Sequence, residues 1–490
     1  MTAAAQLWGT NTNPFHRPIL GLVVGRGADS CFGLTQQHNF ESSGALREPE
    51  GIRVMQGMTK TDRSEASDFQ EQVNEAIRQA GLSGQWEHPV RDAATDYAEM
   101  TTIDWAYLCY KLKNPVMRAE RNVLDVLFKH NRSVLELPRD LRIESEVSIT
   151  AAGDLIPLDG MELSKDILFA KVAESLFDAD ISFANLEAPV TQQQISTSVI
   201  AGRGLDSPPL MCCSPDQFFA MAGHREKYFT ALSLANNHSF DMGIEGLETT
   251  QYHFAKCGIV GVGMPSSPEA HGRGVTVTKA ATKIGFVSVT FGLNGHQPSG
   301  EEKYRVHTAR ISSKFVKPEL ALLRKQIDDC KSQGCHFIVA SLHWGYEYEF
   351  FPRQSQIDTA HTLIEDGVDL ILGHHPHVIQ PIEYYRPKRD PDRVGLIAYS
   401  LGGLTSWRDA PPHVVLGLIL RIKLAKGSSR GTPCTYISGV EPIPVFWNFL
   451  RQGDTQMIQI EKLSYARSSD ERNSLMGLLR TYSDLVLNSP

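Results

Sequence analysis

No apolar run in this chain approaches the roughly 18 to 20 residues needed to span a bilayer. The longest near the N-terminus, 19–24, is six residues. The N-terminus also lacks a basic stretch followed by an apolar core, so no secretory signal and no membrane anchor are expected. Positive charge is not in excess: 48 Lys and Arg stand against 56 Asp and Glu, and a net charge of -8 gives no electrostatic footprint for nucleic acid. The eight cysteines are scattered, form no C-x-x-C, and include the adjacent pair Cys212-Cys213, which is poor geometry for a disulfide framework. Reduced thiols packed into a core, in a cytoplasmic protein, are the expectation. An apolar fraction of 41% and a charged fraction of 21% are ordinary for a globular protein, and 490 residues exceed what one core usually supports.

The chain divides near position 145. Residues 1–145 read as a mainly helical accessory region, with one strand-like run at 18–24 and helical stretches at 67–80, 93–112 and 116–130. Nothing in this part specifies chemistry. Gly25-Arg26-Gly27 is an incomplete dinucleotide fingerprint, with Ser30 where a third glycine belongs, and reads as a surface turn. Over 146–424 short apolar strands alternate with helices at 163–177, 215–222, 244–257, 317–332 and 354–366, which predicts an α/β domain on a largely parallel, buried sheet. Residues 425–490 read as strands at 436–440 and 457–463 and a helix at 470–488 that complete or cap the core.

Chemistry-bearing residues recur just beyond the strands. Gly153-Asp154 follows 147–150, Asn185-Leu186-Glu187 follows 181–183, and Asn236-Asn237-His238 follows 229–234. His343-Trp344-Gly345 follows 337–342, and Gly373-His374-His375-Pro376-His377 follows 368–372. In an α/β sheet ligands bind in the crevice outside the carboxyl ends of the strands, so these residues converge although they are far apart in sequence. Asp154 and Glu187 supply carboxylates, Asn237 an amide oxygen, and His343, His375 and His377 imidazoles. That donor set suits one or two divalent ions of Mn, Fe or Zn, and is too nitrogen-rich for calcium. His238 is the natural proton donor to a leaving group.

These segments, with Asp241 and Gly243 and with Thr290-Phe291-Gly292-Leu293-Asn294-Gly295, together resemble the CapA/PgsA poly-γ-glutamate (capsule) biosynthesis proteins, a family similar to calcineurin-like metallophosphoesterases. The resemblance covers roughly 146–410. It implies a four-layer αββα sandwich with a dinuclear metal site at strand ends. Carried over by position, Asp154 ligates the first metal and Glu187 stands where the superfamily has its bridging aspartate. Asn237 with His238 matches the Asn-His pair, His343 binds the second metal, and His375 with His377 matches the final His-x-His. Ile156 replaces the histidine of the superfamily's Asp-x-His, as is usual in CapA-like proteins, so one site has lost a nitrogen donor.

Other residues carry two readings each. His374 is a hydrogen-bonding neighbour of the ligands or a substrate contact, and Asn236 is placed with the substrate contacts. Trp344, Tyr346 and Tyr348 alternate with Gly345, Glu347 and Glu349 as a half-buried strand does, or as a pocket wall beside His343 would. Asp241 orients His238 or caps the helix beginning near Ile244. Arg203 and Arg353 suit an anionic substrate group. Gly402-Gly403 makes a tight turn or lets backbone approach the site. His361 is expected on a helix face, and His271, His296 and His307 line a substrate loop or, as is expected, face solvent.

The function expected is a metal-dependent hydrolase in which metal-bound hydroxide attacks a phosphoester or a peptide-like amide of a small-molecule or peptide-like substrate. The alternative is a component of poly-γ-glutamate, related amide-polymer or small-molecule biosynthesis that transfers amides or binds chains. A non-catalytic accessory role is a third reading.

Overall fold

Strands with no exposed position dictate the layering. Ile181–Leu186, Phe337–His343 and Leu370–His374 are buried at every residue, and such strands persist only where both faces are covered. The computed structural model describes residues 60–130, 135–193, 199–200, 210–452, 455–463 and 474–487. The strand expected at 18–24, the turn at Gly25-Arg26-Gly27 and Arg203 lie outside them.

In chain order the strands are β1 (Arg142–Leu155), β2 (Ile181–Leu186), β3 (Val199–Ile200), β4 (Leu210–Met211), β5 (Gly223–His224), β6 (Lys227–Tyr228), β7 (Ala231–Ser233) and β8 (Val260–Val262). There follow β9 (Val275–Lys279), β10 (Thr282–Thr290), β11 (Phe337–His343), β12 (Leu370–His374), β13 (Ile382–Tyr385) and β14 (Gly395–Ala398). Last come β15 (Leu416–Ser429), β16 (Thr432–Gln452) and β17 (Thr455–Lys462). Two main sheets result, ordered β17-β16-β15-β1-β2-β7-β8 and β13-β14-β12-β11-β10-β9. Both are mixed, which corrects the expected largely parallel sheet. Strands β1, β2, β7 and β8 run parallel, as do β10, β11, β12 and β14, while β15–β17, β9 and β13 are antiparallel additions.

The sheets face each other as an α/β sandwich. Phe183 of β2 stacks on Phe286 of β10 with ring centroids 5.6 Å apart, Ser233 Oγ lies 3.0 Å from Ser288 Oγ, and one buried apolar cluster draws on both sheets. The expected boundaries near 145 and 424 both fall inside strands, β1 and β15. The C-terminal strands therefore extend the first sheet.

Helices Pro215–Met221, Gly243–Cys257, Ala321–Ser332 and Gln354–Asp366 stand close to where periodicity predicts them. Three expectations fail for one reason: tertiary or capping partners take the backbone groups. Of 163–177 only Ala173–Phe177 is α-helical, because β17 binds this segment through Ile460 N–H to Leu168 O and Ile458 N–H to Ser164 Oγ. Of 93–112 only the part from Thr102 is α-helical, because a Thr101–Asp104 capping box starts the helix there. Of 116–130 only Val123–His130 is helical, since Val116 pairs with backbone at Tyr348 and Phe350. The seven cysteines among the described residues are free thiols. No helix among these residues is long and apolar enough to cross a membrane.

A buried charge cluster fastens the helix Thr102–Lys113 to the sandwich. Glu349 accepts from Arg353 Nε at 3.0 Å, Arg353 NH2 at 2.8 Å, Lys111 Nζ at 3.2 Å and Tyr107 OH at 3.1 Å. Burial works against its charge, but Arg353 and Lys111 outweigh it and hold the carboxyl below the usual range. Removing the carboxylate strands two buried cations, so Glu349→Ala should cost about 3–5 kcal/mol in chemical denaturation. A depressed carboxylate contributes fully above its unfolded pKa and loses that contribution as pH falls through the folded value. Part of the wild-type stability should accordingly disappear below pH 4.5, the ordinary glutamate value, and the variant should lack that part.

Candidate metal centre

Each group expected at the centre is delivered by the end of a parallel strand. Asp154 is the last residue but one of β1, Glu187 follows β2, Asn237 follows β7, His343 ends β11, and His375 and His377 follow β12. Glycine permits the close packing this requires. A Cβ on Gly153 would collide with Gly402 O, and one on Gly373 with Tyr399 O. The Gly402 turn adopts φ +67° and accepts from Asp154 N–H at 2.9 Å, so both readings of this glycine pair apply. His375 and His377 hold φ of +93° and +55°. Non-glycine residues rarely adopt such backbone, at a cost on the order of 1–3 kcal/mol, and it clusters where side chains must be aimed.

Two donor groups form. Asp154, Glu187 and His343 make one, and Glu187, His375 and His377 the other, with the ligand atoms of each within 4.8 Å of one another. Glu187 belongs to both, as a bridging carboxylate does. The grouping differs from the expected one in placing His343 with Asp154. Glu187 Oε1 lies 3.5 Å from His343 Nε2 and 3.7 Å from His377 Nε2, and Asn237 Oδ1 lies 2.8 Å from His343 Nε2. At the missing superfamily histidine, Ile156 is fully buried and its backbone is tied to Thr405 Oγ1.

The donor set fits a divalent cation on three counts. Both oxygens of Glu187 and the Nδ1 atoms of His343 and His375 are buried without a hydrogen-bond partner, a costly state for polar atoms with nothing to bind. Among the described residues no Lys or Arg pairs with Asp154 or Glu187, and those two carboxylates are fully buried. Burial also holds the His343 and His375 imidazoles well below their usual range, leaving neutral nitrogen lone pairs. Burial, aided by the charge of Asp154, pushes Glu187 up to about 8. His377 is up to about 9 because Glu187 and Asp154 outweigh its burial.

Asp154 is the most tightly held member. Its Oδ1 accepts from Asn185 Nδ2 at 2.9 Å and lies 3.1 Å from His374 Nδ1, and its Oδ2 accepts from His375 N–H at 3.2 Å. Burial opposes its charge, but His374 and His377 hold the carboxyl well below the usual range. His374 is buried beneath the cluster as a partner of Asp154, which corrects its placement as a substrate contact.

Beside the cluster His238 Nδ1 meets Asp241 Oδ2 at 2.7 Å, and that oxygen also accepts from Met211 N–H. Asp241 therefore orients His238 and caps no helix; the N-cap of Gly243–Cys257 is Met242, with no side-chain cap. Burial opposes the charged imidazole, but Asp241 outweighs it and raises His238 above the usual range. His296 Nε2 is 3.5 Å from Asp241 Oδ1 and partly exposed, in keeping with a solvent-facing position. His307 instead is buried, with Nε2 accepting from Gly272 N–H, and His361 sits on its helix against Glu383.

Four other expected contacts lie elsewhere. Asn236 is fully buried and holds the strand ends together through Leu186 O at 2.7 Å and Asn185 Oδ1 at 3.2 Å. Trp344 is fully buried and donates to Tyr399 O. Arg353 is committed to Glu349 and Val90 O, with its guanidinium 3.6 Å from the Tyr346 ring centroid, so neither Arg353 nor Tyr346 presents a free contact at the cluster. Tyr348 does approach, with its ring 6.3 Å from that of His377.

Sequence reasoning assigns no role to two residues that touch the site. Asn294, at φ +49°, accepts from Asn237 Nδ2 at 3.0 Å and so turns Asn237 Oδ1 toward His343. The Asn-Gly turn just beyond β10 was the available signal. Thr95 Oγ1 lies 2.9 Å from His375 Nε2, and no motif marks it.

Comparison with known proteins identifies the family. Residues 148–406, more than half of the chain, match the family model described as bacterial capsule synthesis protein PGA_cap. The PGA biosynthesis protein CapA of Bacillus subtilis is 29% identical over 46% of this chain and 56% of its own length. The capsule biosynthesis protein CapA of Bacillus anthracis is 27% identical over 48% and 53%. A probable polyglutamine synthesis accessory protein of Mycobacterium tuberculosis is 28% identical over 43% and 53%. The chain thus spans about half the length of the curated relatives it matches. A crystal structure of a hypothetical protein from Thermus thermophilus aligns at a TM-score of 0.33 and 14% identity, over 61% of this chain and 98% of that one. With its ordered motifs at the strand ends and its matched span, the chain belongs to the bacterial capsule synthesis protein PGA_cap family.

Proposed function

We propose that this protein is a metal-dependent hydrolase acting on a phosphoester or peptide-like amide, on a four-layer αββα sandwich of the metallophosphoesterase kind. The observation that carries the reading is Glu187, shared by two buried His/carboxylate groups beside an aimed His238–Asp241 pair. Asp154, Glu187, Asn237, His343, His375 and His377 would hold one or two ions of Mn, Fe or Zn. Such an ion supplies a lowered water pKa and polarises the electrophilic group of the substrate. Asn237 is held in its binding orientation by Asn294. His238 delivers a proton to the leaving group, and Asp241 fixes the orientation of the ring that does so. The His238 and His377 side chains retain 6 and 9% exposure while those of Asp154, Glu187 and His375 retain 0, 0 and 1%, so substrate approaches past these two rings. Residues 1–145 serve as an accessory region to this unit.

A second reading, chain binding or amide transfer in polymer biosynthesis, is favoured by the accessory role in the name of the mycobacterial relative. Metal content by mass spectrometry, for wild type and His343→Ala/His375→Ala, decides first. Stoichiometric metal lost in the variant is expected, and a wild type that takes up none even after reconstitution would sink the centre. Turnover of p-nitrophenyl phosphate or of a γ-glutamyl anilide then separates the phosphoester and amide versions. Metal without either activity favours chain binding.

A further inference from the structure

We propose that Thr95 is a positioning residue of the metal centre: its hydroxyl, on His375 Nε2, turns the Nδ1 of that ring toward Glu187 and His377. The inference rests on the metal-centre reading above and adds to the site a residue outside the span 148–406 that matches the family.

The geometry is specific at His375. Its Nε2 has Thr95 Oγ1 at 2.9 Å and Glu347 Oε2 at 3.5 Å, whereas its Nδ1 is buried with no partner. Close packing limits rotation, with the rings of Phe291 and His343 tilted against it at 4.6 and 4.9 Å between centroids. A ligating histidine characteristically uses one nitrogen for the metal and donates the other N–H to an oxygen, which fixes tautomer and ring angle. Here Thr95 is the hydrogen-bonding oxygen and Nδ1 the nitrogen left for the metal. Thr95 is fully buried, so no water substitutes at that position without a rearrangement.

Thr95 is placed by a segment pinned on both sides. Asp104 accepts from Ala94 N–H at 2.8 Å, from Thr101 N–H at 2.8 Å and from Lys314 Nζ at 2.7 Å. Glu99 accepts from Arg310 at 2.7 Å, Ser313 Oγ at 2.6 Å and Lys314 N–H at 2.9 Å. Between these anchors Asp96 lies against Gly292, where a Cβ would come within 2.6 Å of its carboxylate. The segment thus packs onto the Thr290–Gly295 loop, which also carries Asn294. Clamps from two loops therefore aim two ligands, Asn294 on Asn237 and Thr95 on His375.

The test is titration of the chelator-stripped full chain with Mn²⁺ and Zn²⁺ by calorimetry, comparing wild type, Thr95→Val, Thr95→Ala and Thr95→Ser. Loss of such an outer partner typically weakens metal affinity about 10–100-fold. That loss is expected for Val and Ala, with wild-type affinity restored in Ser, which keeps the hydroxyl. Melting temperatures in EDTA check folding, and if the Val variant does not fold, the Ala and Ser pair carries the comparison. Equal affinity in all four proteins, with binding abolished in His343→Ala/His375→Ala, overturns the clamp and leaves the metal centre standing. A wild type that binds neither ion overturns both. Weakening in Ser equal to that in Ala overturns the hydroxyl's role as well.

Discussion

Glu187→Gln is expected to empty the centre of metal altogether, whereas His343→Ala should disturb mainly one of its two donor groups. Among the described residues Glu187 is the only one common to both groups, it is fully buried, and both its oxygens are without a hydrogen-bond partner. Glutamine keeps the volume and removes the charge and one anionic acceptor, so packing survives while the bridge is lost. An outer partner of a metal ligand is typically worth about 10–100-fold in affinity, and a shared ligand should exceed that range. Metal analysis of the purified variant reads the result directly. Wild-type stoichiometry in Glu187→Gln would show that this carboxylate bridges nothing, and the two groups would then have to be read as alternatives.

His238→Ala should lower kcat by about 10²–10⁴-fold on whichever substrate the wild type hydrolyses, with metal content unchanged. The ring is aimed by Asp241 at 2.7 Å and belongs to neither donor group, so its loss removes a proton donor and leaves the ligands in place. Asp241→Ala should show a smaller fall in kcat, because the imidazole remains and only its orientation is released. Full activity in His238→Ala would move the protonation to another group or to water. A fall in kcat accompanied by loss of metal would instead make His238 part of the metal-binding shell.

Much of the candidate site is legible because each ligand stands at or immediately after the end of an apolar strand, and strand ends are local features. Val-, Ile- and Leu-rich runs bounded by Gly, Asn and His mark β1, β2, β7, β11 and β12 without knowledge of any partner. The family assignment follows from the same ordered motifs. Arg353 and Trp344 show where local reasoning misleads. A guanidinium near a site suits an anion in isolation, yet Glu349 four residues earlier and Val90 from the accessory region take it up. Trp344 follows the candidate ligand His343, yet its indole lies in the core, stacked on Tyr399 and donating to Tyr399 O.

Strand ends, the donors they carry, the α/β class and the family are all written in the chain itself. Packing in three dimensions settles the rest: the two mixed sheets, Glu187 as the member common to both donor groups, Asp241 in the service of His238, and the reach of Thr95 to His375. The division has a physical reason. Periodicity and turn chemistry act over a few residues and leave their mark in the chain, whereas a hydrogen bond across 280 positions is set by how the elements pack. Nothing in the local sequence around Thr95 distinguishes a threonine that touches a ligand from one that faces solvent.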